Sequence, residues 1–264
     1  MSEKRYQTIL FLRQDKVVRI SLNRPEVHNA FNSTMIRELA NAFKEAQEDE
    51  SVRVVVLTGQ GESFCAGADL NWMKEIIRYS FEQNLKESTE LAELMHQIYI
   101  LPKPTLARIN GATIGGGNGL FSACDLAIAS ERAKFGLSEV KIGLVPAAIS
   151  PYVMRRIGES AARELFLTGE RFDARRALEI GLVNKVVPHE ELDKKVEEVV
   201  RVLLSSGPEA IASCKELLHK VPAMTDEQAK AYTAEMIARL RISQEGQEGM
   251  AAFLEKRKPK WVKE

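Results

Sequence analysis

The chain has 264 residues, a length that suits one large domain or a domain with an appendage. Its 37 lysines and arginines balance 37 aspartates and glutamates, so no net field draws it to nucleic acid or to an anionic membrane. Cys65, Cys124 and Cys214 are widely spaced and show no metal-ligand spacing with His28, His96, His189 or His219, which argues against zinc and against a disulfide framework. The opening residues run into a strand pattern rather than a long apolar stretch. The expectation is therefore a cytoplasmic protein with no signal peptide and no membrane span.

In chain order, residues 8–13 and 17–22 have the character of two strands joined by the turn Gln14-Asp15-Lys16. Asn32 is placed to cap a helix whose apolar positions Met35, Ile36, Leu39, Ala42, Phe43 and Ala46 keep helical spacing. Residues 54–57 form a continuous apolar run ending at Thr58-Gly59, as expected of a strand covered on both faces. Strand patterns recur at 105–109 and 126–129 with helical segments between them, which predicts an α/β fold with parallel pairing. From His189 onward the pattern is helical: 190–204, 208–219 and a long segment from Thr225. Thr225 and Gln228 form a capping box there, and Ala229, Tyr232, Met236, Leu240 and Ile242 trace an apolar stripe.

Two loops carry the chemical signal. After the strand at 105–109, Gly111 breaks the run, and Gly115, Gly116 and Gly117 fall at or just before the start of a helix with Leu120, Phe121, Ala123 and Cys124 on its apolar face. Backbone N–H groups there lack intrahelical partners and sit at the positive end of the dipole, so the turn can hold a phosphate, a carboxylate or an oxyanion. A Walker loop needs Lys and then Ser or Thr after its last glycine, whereas Asn118 and Gly119 follow here. A dinucleotide fingerprint needs Gly or Ala where Leu120 stands. The second loop, 64–73, also leads from a strand toward a helix, and its small residues Ala66, Gly67 and Ala68 allow a ligand close to the backbone. One N–H from each loop can then converge on a single acceptor.

The sequence resembles the crotonase, or enoyl-CoA hydratase/isomerase, superfamily. The likeness rests on N-R-P at 23–25, F-C-A-G-A-D-L at 64–70, K-P-T at 103–105, N-G-A-T-I-G-G-G at 110–117 and C-D-L-A-I-A at 124–129. It continues through F-G-L-S-E-V-K-I-G at 135–143, L-T-G-E-R-F-D-A at 167–174, G-L-V-N-K-V-V at 181–187 and F-L-E-K-R at 253–257. The resemblance implies a crotonase-like spiral of ββα units over residues 1–188, carrying the active site. It also implies a helical C-terminal region over 189–264 that serves assembly into homotrimers or homohexamers.

The same resemblance implies an acyl-CoA substrate whose thioester oxygen is held by the N–H groups of Ala68 and Gly116. Glu139 is the acid/base group, and no metal or redox cofactor is implied, since coenzyme A enters as part of the substrate. Ala66, Asp69 and Leu70 would line the CoA path, with Phe253 and Lys256 at its nucleotide end. Many family hydratases carry a further glutamate three residues after the oxyanion glycine, where this chain has Gly119. Counting carboxylates favours a double-bond isomerase. The blocks at 67–73, 115–120, 150–153 and 166–173 instead resemble methylglutaconyl-CoA and carboxygeranoyl-CoA hydratases, which favours hydration. A substrate carboxylate would then take the missing role, with Arg78, Tyr152 or Arg155 near it, and Gly119→Glu would add hydration of uncharged substrates. A non-catalytic CoA- or RNA-binding module is the third reading, disfavoured by Glu139 and the balanced charge.

Overall fold

A computed structural model describes residues 2–262 of the chain. The opening strands β1 (Ser2–Arg5), β2 (Ile9–Gln14) and β3 (Val17–Leu22) run antiparallel, with Asp15 in the tight β2–β3 turn at φ 52°, a conformation aspartate tolerates. Helix α1 (Ser33–Glu48) starts at Asn32, whose side chain accepts from the Met35 N–H, and all six expected apolar positions are buried. The chain then enters β4 (Val54–Gly59), parallel to β3.

From β4 onward one pattern repeats. A strand of the large sheet is followed at once by a three-residue strand of a second sheet, and helices return the chain. Thus β4 leads to β5 (Ser63–Cys65), α2 (Leu70–Ile76) and α3 (Phe81–Ile100). Next, β6 (Thr105–Ile109) leads to β7 (Ala112–Ile114) and α4 (Gly116–Ala123). Last, β8 (Leu126–Ser130) leads to β9 (Lys134–Gly136) and α5 (Ser150–Thr168). The turn closes through β10 (Arg171–Asp173), α6 (Ala174–Glu179) and β11 (Lys185–Val187).

The large sheet has the order β1-β2-β3-β4-β6-β8-β11 and the small one β10-β9-β7-β5. This is the spiral of ββα units expected from the resemblance. The short strands of the second sheet escape a reading by alternation because three residues do not establish a period.

Residue alternation in the large sheet explains its continuous apolar runs. Val55, Leu57, Ala107, Ile109, Ala127 and Ala129 face the main core with α1, α3, α4 and the small sheet. Val54, Val56, Leu106 and Ile128 face the other way, onto Leu192, Val196 and Val200 of α7 (Leu192–Ser205). Arg156 fixes the far end of α4 by donating to the Cys124 and Ser122 carbonyls at 2.6 and 3.1 Å, a cation at the negative end of a helix dipole.

After β11 the described chain is helical: α7, α8 (Pro208–Lys220), α9 (Asp226–Ile242) and α10 (Gln244–Leu254). The Thr225–Gln228 capping box is present. The long helical segment expected from Thr225 is α9, and a further helix, α10, follows a break at Ser243. Ser243 leaves helical geometry (φ −67°, ψ 157°) and caps α10 through the Gly246 N–H. Of the five residues of the expected stripe only Met236 is fully buried, and Ile242 is 80% exposed beside the break.

Candidate active site

The N-terminus of α4 is built by glycine. Gly115 has φ 52° and ψ −126°, in the region closed to most side chains, and a Cβ there would lie 3.2 Å from Glu139 Oε1. Its N–H donates to the Gly136 carbonyl at 2.8 Å, tying the turn to the end of β9. The next peptide places the Gly116 N–H at the first position of the helix, where no intrahelical acceptor exists.

The 66–69 loop comes to the same place. Phe31 and Ala68 form a parallel bridge, with the Phe31 N–H on the Gly67 carbonyl at 2.6 Å and the Asp69 N–H on the Phe31 carbonyl at 2.8 Å. Gly67, at φ 89°, lies with its Cα 3.9 Å from where a Gly115 Cβ would stand, so the two loops are in backbone contact. The Phe31 ring packs under Gly116. Neither the Ala68 nor the Gly116 N–H donates to an acceptor among the described residues. Two free donors therefore sit on touching loops.

Glu139 lies in a 3-10 turn (Ser138–Ile142) directly after β9. Its Oε1 faces Gly115, and its Oε2 is buried without a hydrogen-bond partner. Burial pushes its pKa above the ordinary glutamate value, and a hydrogen bond from its own N–H offsets only part of that rise. A buried carboxyl with a raised pKa therefore lies against the glycine turn that carries one of the two free donors.

The enoyl-CoA hydratase/isomerase family profile matches residues 13–264. The chain belongs to the enoyl-CoA hydratase/isomerase family. It is 33% identical to the short-chain-enoyl-CoA hydratase of Clostridium acetobutylicum over 95% of both chains. It is 32% identical to the crotonyl-CoA hydratase of Syntrophomonas wolfei, over 97% of this chain and 98% of that one. A solved enoyl-CoA hydratase from Shewanella pealeana superposes with a TM-score of 0.94 at 42% identity, covering 97% of this chain and 96% of that one.

In this hydratase/isomerase the position of the absent second glutamate is closed. Gly119 is buried, and a Cβ on it would collide with Ile149, whose own Cβ would be 2.7 Å away; the Met95 methyl stands at 3.3 Å. The expectation that Gly119→Glu would simply add a catalytic group is corrected by that wall. Ile149 carries no motif signal, since only the three-dimensional packing of the start of α5 against α4 reveals it.

The expected CoA-path residues have divided roles. Ala66 is half-buried and donates its N–H to the His28 carbonyl, while Leu70 is 74% exposed at the start of α2. Asp69 is committed internally: Oδ1 caps α2 through the Asn71 and Trp72 N–H groups and Oδ2 pairs with Arg24 at 2.7 Å. Burial alone would raise its pKa, but the Arg24 hydrogen bond, those two N–H groups and the Arg24 charge outweigh it and hold the carboxyl below the usual range. These bonds tie the end of the Ala68 loop to α2 and to Arg24. Phe253 is 84% exposed and Lys256 is exposed; among the described residues no hydrogen bond or ion pair joins either to the two loops.

Of the residues considered for an acyl carboxylate, Arg78 is exposed just beyond α2. Tyr152 is buried against Tyr99, and the Arg155 guanidinium lies over the Tyr99 ring at 5.1 Å. Buried Cys65 and Cys124 have thiols pushed up to about 12 by burial and are inert packing groups. Among the described residues no cluster of three His, Cys, Asp or Glu side chains could hold a metal, and no helix is long and apolar enough to cross a membrane.

Proposed function

We propose that the protein adds water across the 2,3 double bond of an enoyl-CoA, with Glu139 as its acid/base group. The observation that carries this is the Glu139 carboxyl, raised in pKa by burial, lying against Gly115 beside the two free N–H groups. The thioester oxygen accepts from Ala68 and Gly116. Water attacks C3 and passes a proton to Glu139, the electrons of the double bond moving onto the thioester oxygen as an enolate. Glu139 then returns that proton to C2. The carboxylate is regenerated and the product is a 3-hydroxyacyl-CoA. Each backbone donor is of a kind that contributes roughly 3 to 4 kcal/mol when aimed at developing negative charge. The hydratase names of the relatives support this direction.

A second reading, in which the substrate brings its own carboxylate as 3-methylglutaconyl-CoA does, is supported by the Ile149 wall, because no side chain at 119 can activate the water. An isomerase would use the same Glu139 to move a proton between carbons. A homotrimer or homohexamer is supported by the exposed apolar Ile242, Phe253 and Leu254 at the end of the C-terminal helices, which a second copy would cover.

The test is a turnover panel of crotonyl-CoA, a longer 2-enoyl-CoA, 3-methylglutaconyl-CoA and a 3-enoyl-CoA, with products identified by mass. Hydration of a 2-enoyl-CoA supports the proposal. Exclusive double-bond migration, or no turnover on any of the four, overturns it.

A further inference from the structure

Asn118 is the third residue of α4 and is fully buried. Its carboxamide is surrounded at one end by three backbone carbonyls: Gly136 at 2.9 Å, Gly115 at 3.2 Å and Thr113 at 3.3 Å. Only the NH2 end of an amide can face three carbonyl acceptors, so the orientation is set by chemistry. The other end, Oδ1, is buried and accepts nothing. Nearly every other buried side-chain polar atom among the described residues is partnered, and the exceptions are Ser21, Ser122 and Glu139. An acceptor left stranded in the interior is costly. Asparagine at this point is thus a poor choice for packing alone, and its donor end is what the site uses.

Those three carbonyls belong to the three pieces that make the site. Thr113 is in β7, Gly115 is the turn whose peptide aims the Gly116 N–H, and Gly136 ends β9 three residues before Glu139. The Gly136 carbonyl also accepts the Gly115 N–H at 2.8 Å, and the Asn118 N–H returns to the Gly115 carbonyl at 2.9 Å. One buried side chain therefore bonds both to the turn that carries the Gly116 N–H and to the end of the strand that precedes Glu139.

We propose that Asn118 is a positioning residue that fixes the Gly116 N–H relative to the Glu139 carboxyl. This rests on the proposed enoyl-CoA chemistry. A displacement of about 1 Å between reacting groups costs about a hundredfold in rate, so loosening this clamp lowers kcat while leaving the contacts that hold coenzyme A.

The experiment compares the parent with Asn118→Leu and Asn118→Ser on crotonyl-CoA, together with thermal unfolding and the pH dependence of kcat. Leucine keeps the branched outline and removes both the donor and the stranded acceptor, but it sets a methyl where the amide nitrogen stood 2.9 Å from the Gly136 carbonyl, so Asn118→Leu is expected to fold with a lowered Tm. Its kcat is expected to fall about 10- to 100-fold with KM changed less than about threefold, and its acid limb to move toward that of an ordinary glutamate as Glu139 loosens. Serine retains one donor and is expected to recover part of the lost kcat. A folded Asn118→Leu with parental kcat and pH profile, or one that raises KM alone, overturns the inference. Should the leucine variant not fold, parental kcat in Asn118→Ser does the same. A parent that turns over no enoyl-CoA defeats the functional reading instead.

Discussion

Ile149 fills the space that a side chain on Gly119 would need. The isoleucine is buried at the start of α5, and its Cγ2 methyl and Cβ, fixed close to the backbone rather than at a flexible tip, make the contact. Gly119→Glu alone is expected to destabilise the fold by about 1 to 3 kcal/mol, the range for overpacking a filled core, with no gain in turnover. Combined with Ile149→Ala, it is expected to regain most of that loss and to hydrate crotonyl-CoA faster than Ile149→Ala alone. Denaturant unfolding and crotonyl-CoA kinetics on the single and double variants decide this. Parental stability in Gly119→Glu would show that the two positions are not coupled.

Glu139→Gln keeps the shape of the side chain and removes its proton chemistry. Turnover on the best substrate is expected to drop by roughly two to four orders of magnitude, with KM within a few-fold of the parent. Steady-state kinetics at neutral pH measure it, and a near-parental rate would eliminate Glu139 as the acid/base group.

Arg24→Ala removes the partner of a buried carboxylate. The Asp69 side chain is 6% exposed and Arg24 is 18% exposed, so the loss is expected to be about 3 kcal/mol, toward the lower end for breaking a buried pair. The sign with pH follows from Asp69 being held below its ordinary pKa in the fold. Its stabilisation is present above the unfolded value and is lost as pH falls through the folded one. Parent and variant should therefore converge in stability toward strongly acid pH, and a difference that stays constant down to that range would place the effect in packing instead.

A complex with an acyl-CoA is expected to show the thioester oxygen about 2.7 to 3.1 Å from both the Ala68 and Gly116 nitrogens. Both donors are free and their loops touch through Gly67 and Gly115. A thioester oxygen turned away from either nitrogen in a crystal structure would refute the shared site.

Much of this arrangement was legible in the sequence, because local chemistry marks it. Asn32 and Thr225 announce their helices as caps, the Val54 run betrays a strand buried on both sides, and three glycines before an apolar face locate a donor-bearing helix end. What escaped depends on contacts remote along the chain. The strands β5, β7, β9 and β10 are too short for alternation to show. Ile149 opposes Gly119 from 30 residues away, and the Asp69–Arg24 pair spans 45. In the sequence Asn118 reads only as the residue that spoils a Walker loop, since its donors point to carbonyls of β7, of β9 and of the Gly115 turn. The break at Ser243 was masked by helix formers on either side of it.

The raised pKa of Glu139 gives activity and stability opposite pH dependences. As the base that receives the proton of water, Glu139 must begin ionised, so kcat/KM should fall as pH drops through its folded pKa. That limb should lie above the ordinary glutamate value of about 4.3. For the fold the sign reverses. A carboxyl whose folded pKa exceeds its unfolded one contributes most to stability below the unfolded value, and that contribution is lost as pH rises through the folded one. Near neutral pH the buried, unpartnered Oε2 carries its share of a negative charge that the fold does not compensate. Glu139→Gln should therefore be more stable than the parent at pH 7, with the advantage shrinking toward zero near pH 4. Thermal unfolding of both proteins across that range, beside the pH profile of the parent, measures the two effects independently. An advantage that does not change with pH, or an acid limb at or below the ordinary glutamate value, would mean that burial does not hold the proton on Glu139.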